Sequence, residues 1–405
     1  MTSFIGADNF SFDSLREEIA KTSKSSLKAD LLAGLQVALL TLPQAIAYAL
    51  VAGLPLSASL FAAIFSPVIA LFFSSSKSLI TGPVNTIAIM IQMSVATILF
   101  TSFHDILPQD RENLALQLVV QVTLLVGLFQ VIIALFKLGR LIQFVSHSVV
   151  LGYLGGSLIA VVINQLYPLF GIVADPEATS LFDKLWDIFS RTGEFHLPTL
   201  MIGAISFVSI ILLKRISIKI PGALITIILA SIVLYFFQDI VNSPLFDSVK
   251  QVGSVSSFNI LPVFYFPHVD LKLINTIFPI AIAIALLAML ETACTAKSMA
   301  AKSKEPISVN QEILSIGMGN LGSSLLGAMP ISVSPTRSAL NNEMGAKTRL
   351  SGLFSAIFVA LLVTVFAFYV TRIPVSALSA LIIITVFVLL KIGRASCRER
   401  VSSPV

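Results

Sequence analysis

Charged side chains are scarce in this sequence. Only 12% of the 405 residues are Asp, Glu, Lys or Arg, whereas 56% are hydrophobic. A soluble globular domain carries about 25% charged residues. So few charges cannot cover the surface of a 43.5 kDa globular protein, and the mean hydropathy of +0.95 indicates that lipid is the solvent. The composition predicts a polytopic membrane protein and excludes a soluble multidomain protein, a disordered chain and a nucleic-acid binder.

Cysteines and known catalytic motifs are also scarce. Cys294 and Cys397 are the two cysteines, and their positions show neither a disulfide framework nor a metal-ligand spacing. The sequence contains no Gly-rich phosphate loop and no hydrolase nucleophile elbow. We therefore expect no enzymatic activity, no cofactor, no metal site and no ATP-driven step.

Apolar runs fill most of the chain. About twelve of them occur between Leu31 and Leu390, each long enough for a full or partial crossing of a bilayer core about 30 Å thick. If the N-terminus is cytoplasmic, most Lys and Arg residues fall in the inner segments. The charge pattern therefore predicts a cytoplasmic N-terminus.

Two of the runs are short and begin at a proline. Pro83 follows Gly82 and Pro335 follows Ser334, and proline fits the first turn of a helix while a small residue suits the cap before it. Both patterns predict helices that begin inside the membrane, where unpaired amides must line protein or a water-filled cavity. Two such positive dipole ends form an anion site. The alternative is that each proline kinks one continuous span.

Arg337 lies in the first turn of the second short run. A cation there is at the unfavourable end of the helix dipole and costs at least about 2.5 kcal/mol within a bilayer. We interpret Arg337 as an anion ligand, the alternative being a structural ion pair with Glu343. Interrupted helices at matching places in two halves are typical of an inverted-repeat secondary transporter with its substrate between them.

Glu291 is an acid inside the eighth apolar run. Its charged form is costly there, so it should be protonated or neutralised by a cation. Thr295 follows on the same helical face. Our hypothesis is that Glu291 couples transport to H⁺, or to Na⁺ with Thr295 and backbone carbonyls of an unwound segment. The alternative is an interfacial acid beside Lys297.

At these residues the chain resembles the SulP (sulfate permease) family of anion transporters. The resemblance covers about residues 30–390. The matching stretches include LPQAIAYA at 42–49, TGP at 81–83, SPTRSALN at 334–341 and GAKTRLSG at 345–352.

The resemblance implies an all-α polytopic fold of two inverted sets of seven segments, arranged as a mobile core and a gate. It also implies a homodimer with a cytoplasmic STAS domain. About twelve segments are present, and we expect the last two segments and the STAS domain to be missing from this sequence. We expect a cytoplasmic N-terminal segment at 1–30, a first repeat at 31–240 with its half-helix starting near 83, an extracytoplasmic loop at 241–273, a partial second repeat at 274–390 with its half-helix starting near 335, and a non-native tail at 391–405.

The resemblance also implies the site and the function. The family's anion site lies between the third and tenth segments, with side chains from the first. The corresponding residues are Gln44, Tyr48, Val84, Asn85, Thr86, Ser334, Thr336 and Arg337. We expect secondary transport of sulfate with H⁺ in a bacterial inner membrane. The alternatives are a bicarbonate or dicarboxylate transporter, possibly coupled to Na⁺, an anion channel of the same fold and, less favoured because of Arg337, a nucleobase carrier.

Overall fold

The computed structural model describes residues 22–102, 108–139, 147–175, 178, 180–216, 221–241, 243–254, 271–303 and 307–387. In these ranges the chain is mostly helical. The elements in chain order are α1 (Lys24–Ala52), α2 (Leu56–Phe73), β1 (Thr81–Gly82), α3 (Asn85–Ser102), α4 (Pro108–Leu135), α5 (His147–Phe170), α6 (Leu181–Ser190), α7 (Leu197–Ile216), α8 (Gly222–Tyr235), α9 (Pro244–Asp247), α10 (Leu271–Ser303), α11 (Val309–Ser324), β2 (Ser332–Val333), α12 (Pro335–Glu343), α13 (Leu350–Val370) and α14 (Val375–Phe387).

The helices pack as two units. The first combines Met1–Ser146 with Asn259–Thr364, and the second combines His147–Phe258 with Val365–Val405. The first unit therefore holds α1 to α4 and α10 to α12, and α13 runs from the first unit into the second. Each unit draws on both halves of the sequence. The division into repeats at 31–240 and 274–390 stays a prediction, and the tail at 391–405 lies outside the described residues.

The helices account for the apolar runs of the sequence. Within the described residues, six helices are long and apolar enough to cross a membrane, namely α1, α2, α4, α7, α8 together with the π-helical turn that continues it to Ile240, and α10. Shorter apolar helices lie in α3, α5, α13 and α14. With α11 and α12, each of the twelve predicted runs coincides with one helix, which confirms the predicted polytopic membrane fold. The short helices α6 and α9 lie in segments that the sequence reading treated as loops.

Glycines bring α4 and α11 into close contact in the first unit. A Cβ atom on Gly127 of α4 would lie 2.7 Å from the backbone nitrogen of Leu321, and one on Gly317 of α11 would lie 2.9 Å from that of Val131. Real side chains do not approach backbone so closely, so both positions require glycine. Small residues of this kind let membrane helices pack backbone to backbone.

Asn320 of α11 connects this helix pair to the segment that leads into β2. Its amide donates to Gln130 Oε1 at 2.8 Å, and its Oδ1 atom accepts from the Ile331 backbone nitrogen at 2.8 Å. Asn320 is fully buried. A buried amide whose hydrogen bonds are satisfied on both sides holds the non-helical segment in one position.

Two short buried strands pair within the first unit. β1 and β2 are antiparallel, with Thr81 opposite Val333 and Gly82 opposite Ser332. The Ser334 backbone nitrogen extends the pairing by donating to the Ile80 carbonyl at 2.9 Å. The prolines alone do not predict this pairing. α12 begins at Pro335, and α3 begins at Asn85, two residues after Pro83.

A buried carboxylate stabilises the connection between α2 and β1. Glu312 of α11 accepts hydrogen bonds from the Ser75 backbone nitrogen at 2.7 Å, the Ser76 backbone nitrogen at 3.0 Å and the Ser74 hydroxyl at 2.9 Å. Glu312, Ser74 and Ser76 are buried, whereas Ser75 is half-buried. The carboxylate is therefore the acceptor that allows this loop to be buried.

We expect Glu312→Gln to destabilise the protein. The substitution replaces an acceptor oxygen with an NH₂ group that faces amide donors, and each buried donor left unsatisfied costs about 1–3 kcal/mol. The midpoint of thermal unfolding in detergent should fall by several degrees. Glu343→Gln on the exposed end of α12 makes the same change of charge and should leave the midpoint unchanged. Equal midpoints for the two variants would contradict this role of Glu312.

Candidate functional site

The candidate site lies where β1 and β2 lead into α3 and α12. Each strand is followed within a few residues by the first turn of its helix. The antiparallel pairing therefore brings the N-termini of α3 and α12 to the same short sheet. The amide groups at a helix start have no partners within the helix and carry the positive end of its dipole. Two such ends in one place favour a negative ligand.

Arg337 connects the two helix starts. It is 1% exposed, although it lies in the first turn of α12. Its Nη2 atom donates a hydrogen bond to the Pro83 carbonyl oxygen at 2.7 Å. Glu343, the ion-pair partner considered from the sequence, is exposed at the other end of α12. Arg337 therefore faces the segment that precedes α3, and no ion pair with Glu343 occurs in the described structure.

Gly82 makes room for the Arg337 side chain. A Cβ atom at this position would lie 2.8 Å from Arg337 Nη1, and the glycine has a φ of +147°. Only glycine adopts this conformation readily. The guanidinium group thus lies against bare backbone, which the sequence reading did not anticipate.

Several buried polar atoms around these elements have no hydrogen-bond partner among the described residues. In native structures such atoms are nearly always paired, because leaving one unpaired costs about 1–3 kcal/mol. The unpaired Arg337 Nε–H can only donate, which suits an anion. The atoms are Gln44 Oε1, Thr81 Oγ1, Asn85 Oδ1, Glu291 Oε2 and Arg337 Nε.

α1 contributes Gln44 and Tyr48, which are one turn apart and both buried. α1 packs against α3 and against α12. Both predicted α1 residues therefore belong to the same buried region as the two helix starts.

The start of α3 contributes the next three predicted residues. Val84, Asn85 and Thr86 are all buried. The Val84 carbonyl accepts the first hydrogen bond of α3, from the Ala88 backbone nitrogen at 3.1 Å. The Thr86 hydroxyl donates to the Glu291 carboxylate. Thr86 thus connects the predicted anion ligands to the predicted coupling residue.

The start of α12 contributes Ser334 and Thr336 beside Arg337. Ser334 is buried and caps the helix, its Oγ atom accepting from the Arg337 backbone nitrogen at 3.5 Å. Its Oγ atom is also 3.3 Å from Thr336 Oγ1. A serine cap holds the first turn in place and leaves other amide groups of that turn unpaired.

Glu291 and Thr295 lie one turn apart on α10, and both are buried. The Glu291 carboxylate accepts a hydrogen bond from the Thr86 hydroxyl. Lys297 is exposed, so Glu291 is not an interfacial acid paired with it. α10 is continuous from Leu271 to Ser303, so the unwound segment expected to supply carbonyls is not in α10 itself.

A contact between β2 and α10 was not predicted from the sequence. The Ser332 hydroxyl donates to the Ala288 carbonyl at 3.1 Å and lies 3.4 Å from Thr292 Oγ1. This contact brings the extended backbone of β2 against the helix that carries Glu291. A serine in an apolar chain has no signal that distinguishes it, so only the fold reveals this role. For Gly82, its position directly before Pro83 was the signal in the sequence that could have indicated its role.

The sequence profile of the sulfate permease family matches residues 27–401 of the chain. The chain belongs to the sulfate permease family. This family consists of transporters, which confirms the prediction that the protein is not an enzyme. Membership of this family supports anion transport across a membrane as the general activity.

Curated members of the family are similar over most of this chain. The chloroplastic sulfate transporter 4.1 of Arabidopsis thaliana is 29% identical over 364 residues, which cover 88% of this chain and 50% of that protein. The putative sulfate transporter YvdB of Bacillus subtilis is 24% identical over 357 residues, covering 88% of this chain and 63% of that protein. The chain thus spans about half to two thirds of the length of these relatives.

Solved structures share the fold. SLC26A9 superposes with a TM-score of 0.79 at 20% identity, over 92% of this chain and 59% of that chain. The transmembrane domain of the cyanobacterial bicarbonate transporter BicA superposes with a TM-score of 0.77 at 20% identity, over 91% of this chain and 89% of that domain. Both have the inverted-repeat fold, which confirms the predicted fold class.

Proposed function

We propose that this protein is a secondary active transporter of a small oxyanion, sulfate first, driven by H⁺ and working by movement of a core against a gate. The observation that carries the proposal is the fully buried Arg337, whose Nε–H has no partner among the described residues. A buried cation needs a negative partner. A bound oxyanion supplies that charge and accepts hydrogen bonds from several donors at once.

The charges and dipoles of the site favour reversible binding of a small anion. The guanidinium group and the amides at the starts of α3 and α12 are all donors, and they occupy fixed positions before the ligand arrives. Arg337 is already hydrogen-bonded to the Pro83 carbonyl, so part of its charge is offset without the anion. This partial compensation keeps binding moderate, as a transporter requires, because a ligand held too tightly is not released.

Glu291 provides a route for coupling. Its carboxylate accepts from Thr86, in the same first turn of α3 that carries the proposed anion ligands. A negative Glu291 repels an oxyanion at this site, and a proton on Glu291 removes that repulsion. Proton and anion therefore favour each other's binding, which is the thermodynamic requirement for symport. Na⁺ between Glu291 and Thr295 is the alternative coupling ion.

The names of the relatives favour sulfate, while the name of BicA keeps bicarbonate as the second candidate substrate. Dicarboxylates carry the same charge as sulfate and remain alternative substrates. An anion channel of this fold remains the alternative mechanism. We further propose a homodimer in a bacterial inner membrane with a cytoplasmic N-terminus. The chain matches about half of the first relative, and the other half of that relative can contribute to its transport activity.

Uptake of radiolabelled sulfate into proteoliposomes that contain the full chain tests this proposal. With an alkaline lumen we expect sulfate to accumulate above its external concentration and to leave again when a protonophore is added. Bicarbonate and succinate are added as competitors. A sodium gradient replaces the proton gradient in a parallel experiment. Flux that only equilibrates sulfate under both gradients would support a channel and contradict the proposal.

A further inference from the structure

The short helix α6 carries an exposed aromatic stripe. Phe182, Trp186 and Phe189 are 84%, 78% and 69% exposed. At about 100° per residue, these three positions fall within an arc of about 60° on one side of the helix. Three large aromatic side chains in one exposed stripe mark a surface that contacts an apolar partner.

Another side of α6 packs on its own unit. Ile188 is fully buried in an apolar cluster with Tyr167 and Ile172. The Tyr167 hydroxyl donates to the Lys184 carbonyl at 3.1 Å and to Asp187 Oδ2 at 3.0 Å. These contacts hold α6 in one rotational orientation, so the aromatic stripe is not the side by which the helix is attached.

The same contacts place α6 beside the C-terminal end of α5. Tyr167 lies in the last turn of α5, which ends at Phe170. The Phe195 ring stacks on that of Phe170 at 4.4 Å, and the His196 backbone nitrogen donates to the Phe170 carbonyl at 3.0 Å, directly before α7 begins. α6 therefore lies beside the place where one apolar helix ends and the next begins. In a membrane protein this is the level of the lipid headgroups.

Charged side chains lie on α6 away from the aromatic stripe and in the turn that follows the helix. Hydrogen bonds from Ser180 hold the pKa of Asp183 below its usual value, and the hydrogen bond from Arg191 does the same for the pKa of Glu194. Both carboxylates are therefore ionised at neutral pH. Arg191 also contacts Asp187 at 3.5 Å. A short helix with an aromatic face and a charged face has the pattern of a helix that lies in the plane of a bilayer surface.

The neighbouring helix identifies lipid as the partner of the stripe. Leu197, the first residue of α7, is 64% exposed, and the exposed Met201 and Ile205 follow it at four-residue intervals. This band belongs to a helix that is long and apolar enough to cross a membrane, so lipid covers it. Tryptophan is also the residue type most typical of the membrane–water interface, where its ring is buried and its N–H remains hydrated.

We infer that α6 is an interfacial anchor that inserts Phe182, Trp186 and Phe189 between phospholipid headgroups and upper acyl chains. The anchor holds the connection between α5 and α7 at a fixed depth in the membrane. This role is independent of which anion the protein transports.

Trp186 is the only tryptophan in the sequence, so its fluorescence in the unaltered protein tests the inference. The full chain is reconstituted in phosphatidylcholine vesicles, with bromine atoms either near the headgroup or near the ends of the acyl chains. Shallow bromines should quench Trp186 about twofold more than deep ones, and aqueous iodide should quench it little. A Trp186→Phe/Val208→Trp variant, with its tryptophan in the middle of α7, is the control and should show the reverse depth order.

Two other outcomes would overturn the inference. Strong quenching by iodide without quenching by bromolipid would mean that the stripe faces water. Protection from both quenchers at every protein-to-lipid ratio would mean that protein, such as a second copy of the chain, covers the stripe. A Phe182→Ser/Phe189→Ser variant provides a second measurement, because loss of the two flanking anchors should reduce quenching by shallow bromolipid and increase quenching by iodide.

Discussion

An Arg337→Gln variant should fold normally and lose saturable sulfate transport. Arg337 is buried, and its guanidinium group connects the starts of α12 and α3 through the Pro83 carbonyl. Truncating one partner of a buried, hydrogen-bonded charge pair costs about 2–5 kcal/mol of binding free energy. A loss of 3 kcal/mol within this range weakens sulfate binding about a hundredfold. Glutamine retains a donor for the carbonyl and removes a buried charge, so the fold should persist.

Sulfate-dependent thermal stability separates a binding defect from misfolding. A ligand at about a hundred times its Kd stabilises the folded protein by about 2.7 kcal/mol, so sulfate should raise the unfolding midpoint of the wild type. For Arg337→Gln we expect the same midpoint in sulfate-free buffer and no increase with sulfate. Lys347→Ala removes one exposed positive charge close to the end of α12 and should retain the full increase. A wild-type response to sulfate in Arg337→Gln would refute the assignment of Arg337.

A Glu291→Gln variant should exchange sulfate and fail to concentrate it. Glutamine has the size of glutamate and can accept the Thr86 hydrogen bond, so it mimics the permanently protonated state. The anion site then stays free of the repelling carboxylate at every pH. Without a proton that binds and leaves, the proton gradient no longer biases transport, and the sulfate accumulation ratio should fall to about one.

Two assays on the same proteoliposomes distinguish sulfate exchange from sulfate accumulation. Counterflow of labelled against unlabelled sulfate reports exchange, and uptake under an alkaline lumen reports coupled accumulation. Glu343→Gln makes the same charge change at an exposed position and should behave as wild type in both. Gradient-driven accumulation that survives in Glu291→Gln would exclude Glu291 as the coupling residue, whereas loss of counterflow as well would mean that it serves anion binding itself.

The helices of this protein were predictable because lipid imposes a simple rule on them. A chain in a bilayer must satisfy its backbone polar groups internally, so each long apolar run becomes a helix. All twelve predicted runs coincide with helices for this reason. The helix α6 does not follow that rule, because its apolar residues alternate with polar ones over ten residues and form no continuous run. Its recognition requires the period of a helix rather than the length of a membrane span.

Individual residues of the candidate site were predictable from the sequence, but their arrangement was not. Pro335 in a small-residue context indicated a helix start, and Arg337 indicated a charge that needs an anion. The other short helix, expected to start near 83, begins at Asn85, and the pairing of Thr81 and Gly82 with β2 before it was not predicted. Strand pairing between distant segments depends on which backbone groups meet in the folded chain, and two-residue strands have no sequence signal of their own.

The sequence by itself determined that lipid is the solvent, where the helices run and which residue types can hold an anion, because these properties follow from local composition and residue chemistry. Tertiary structure decided which of these residues meet. Arg337 reaches a carbonyl 254 positions away, and Thr86 reaches Glu291 across 205 positions. Such contacts are set by the packing of whole helices, by the close approach that Gly82 permits and by the pairing of β1 with β2. The physical reason is that burial makes each polar group depend on a partner that only the complete fold supplies.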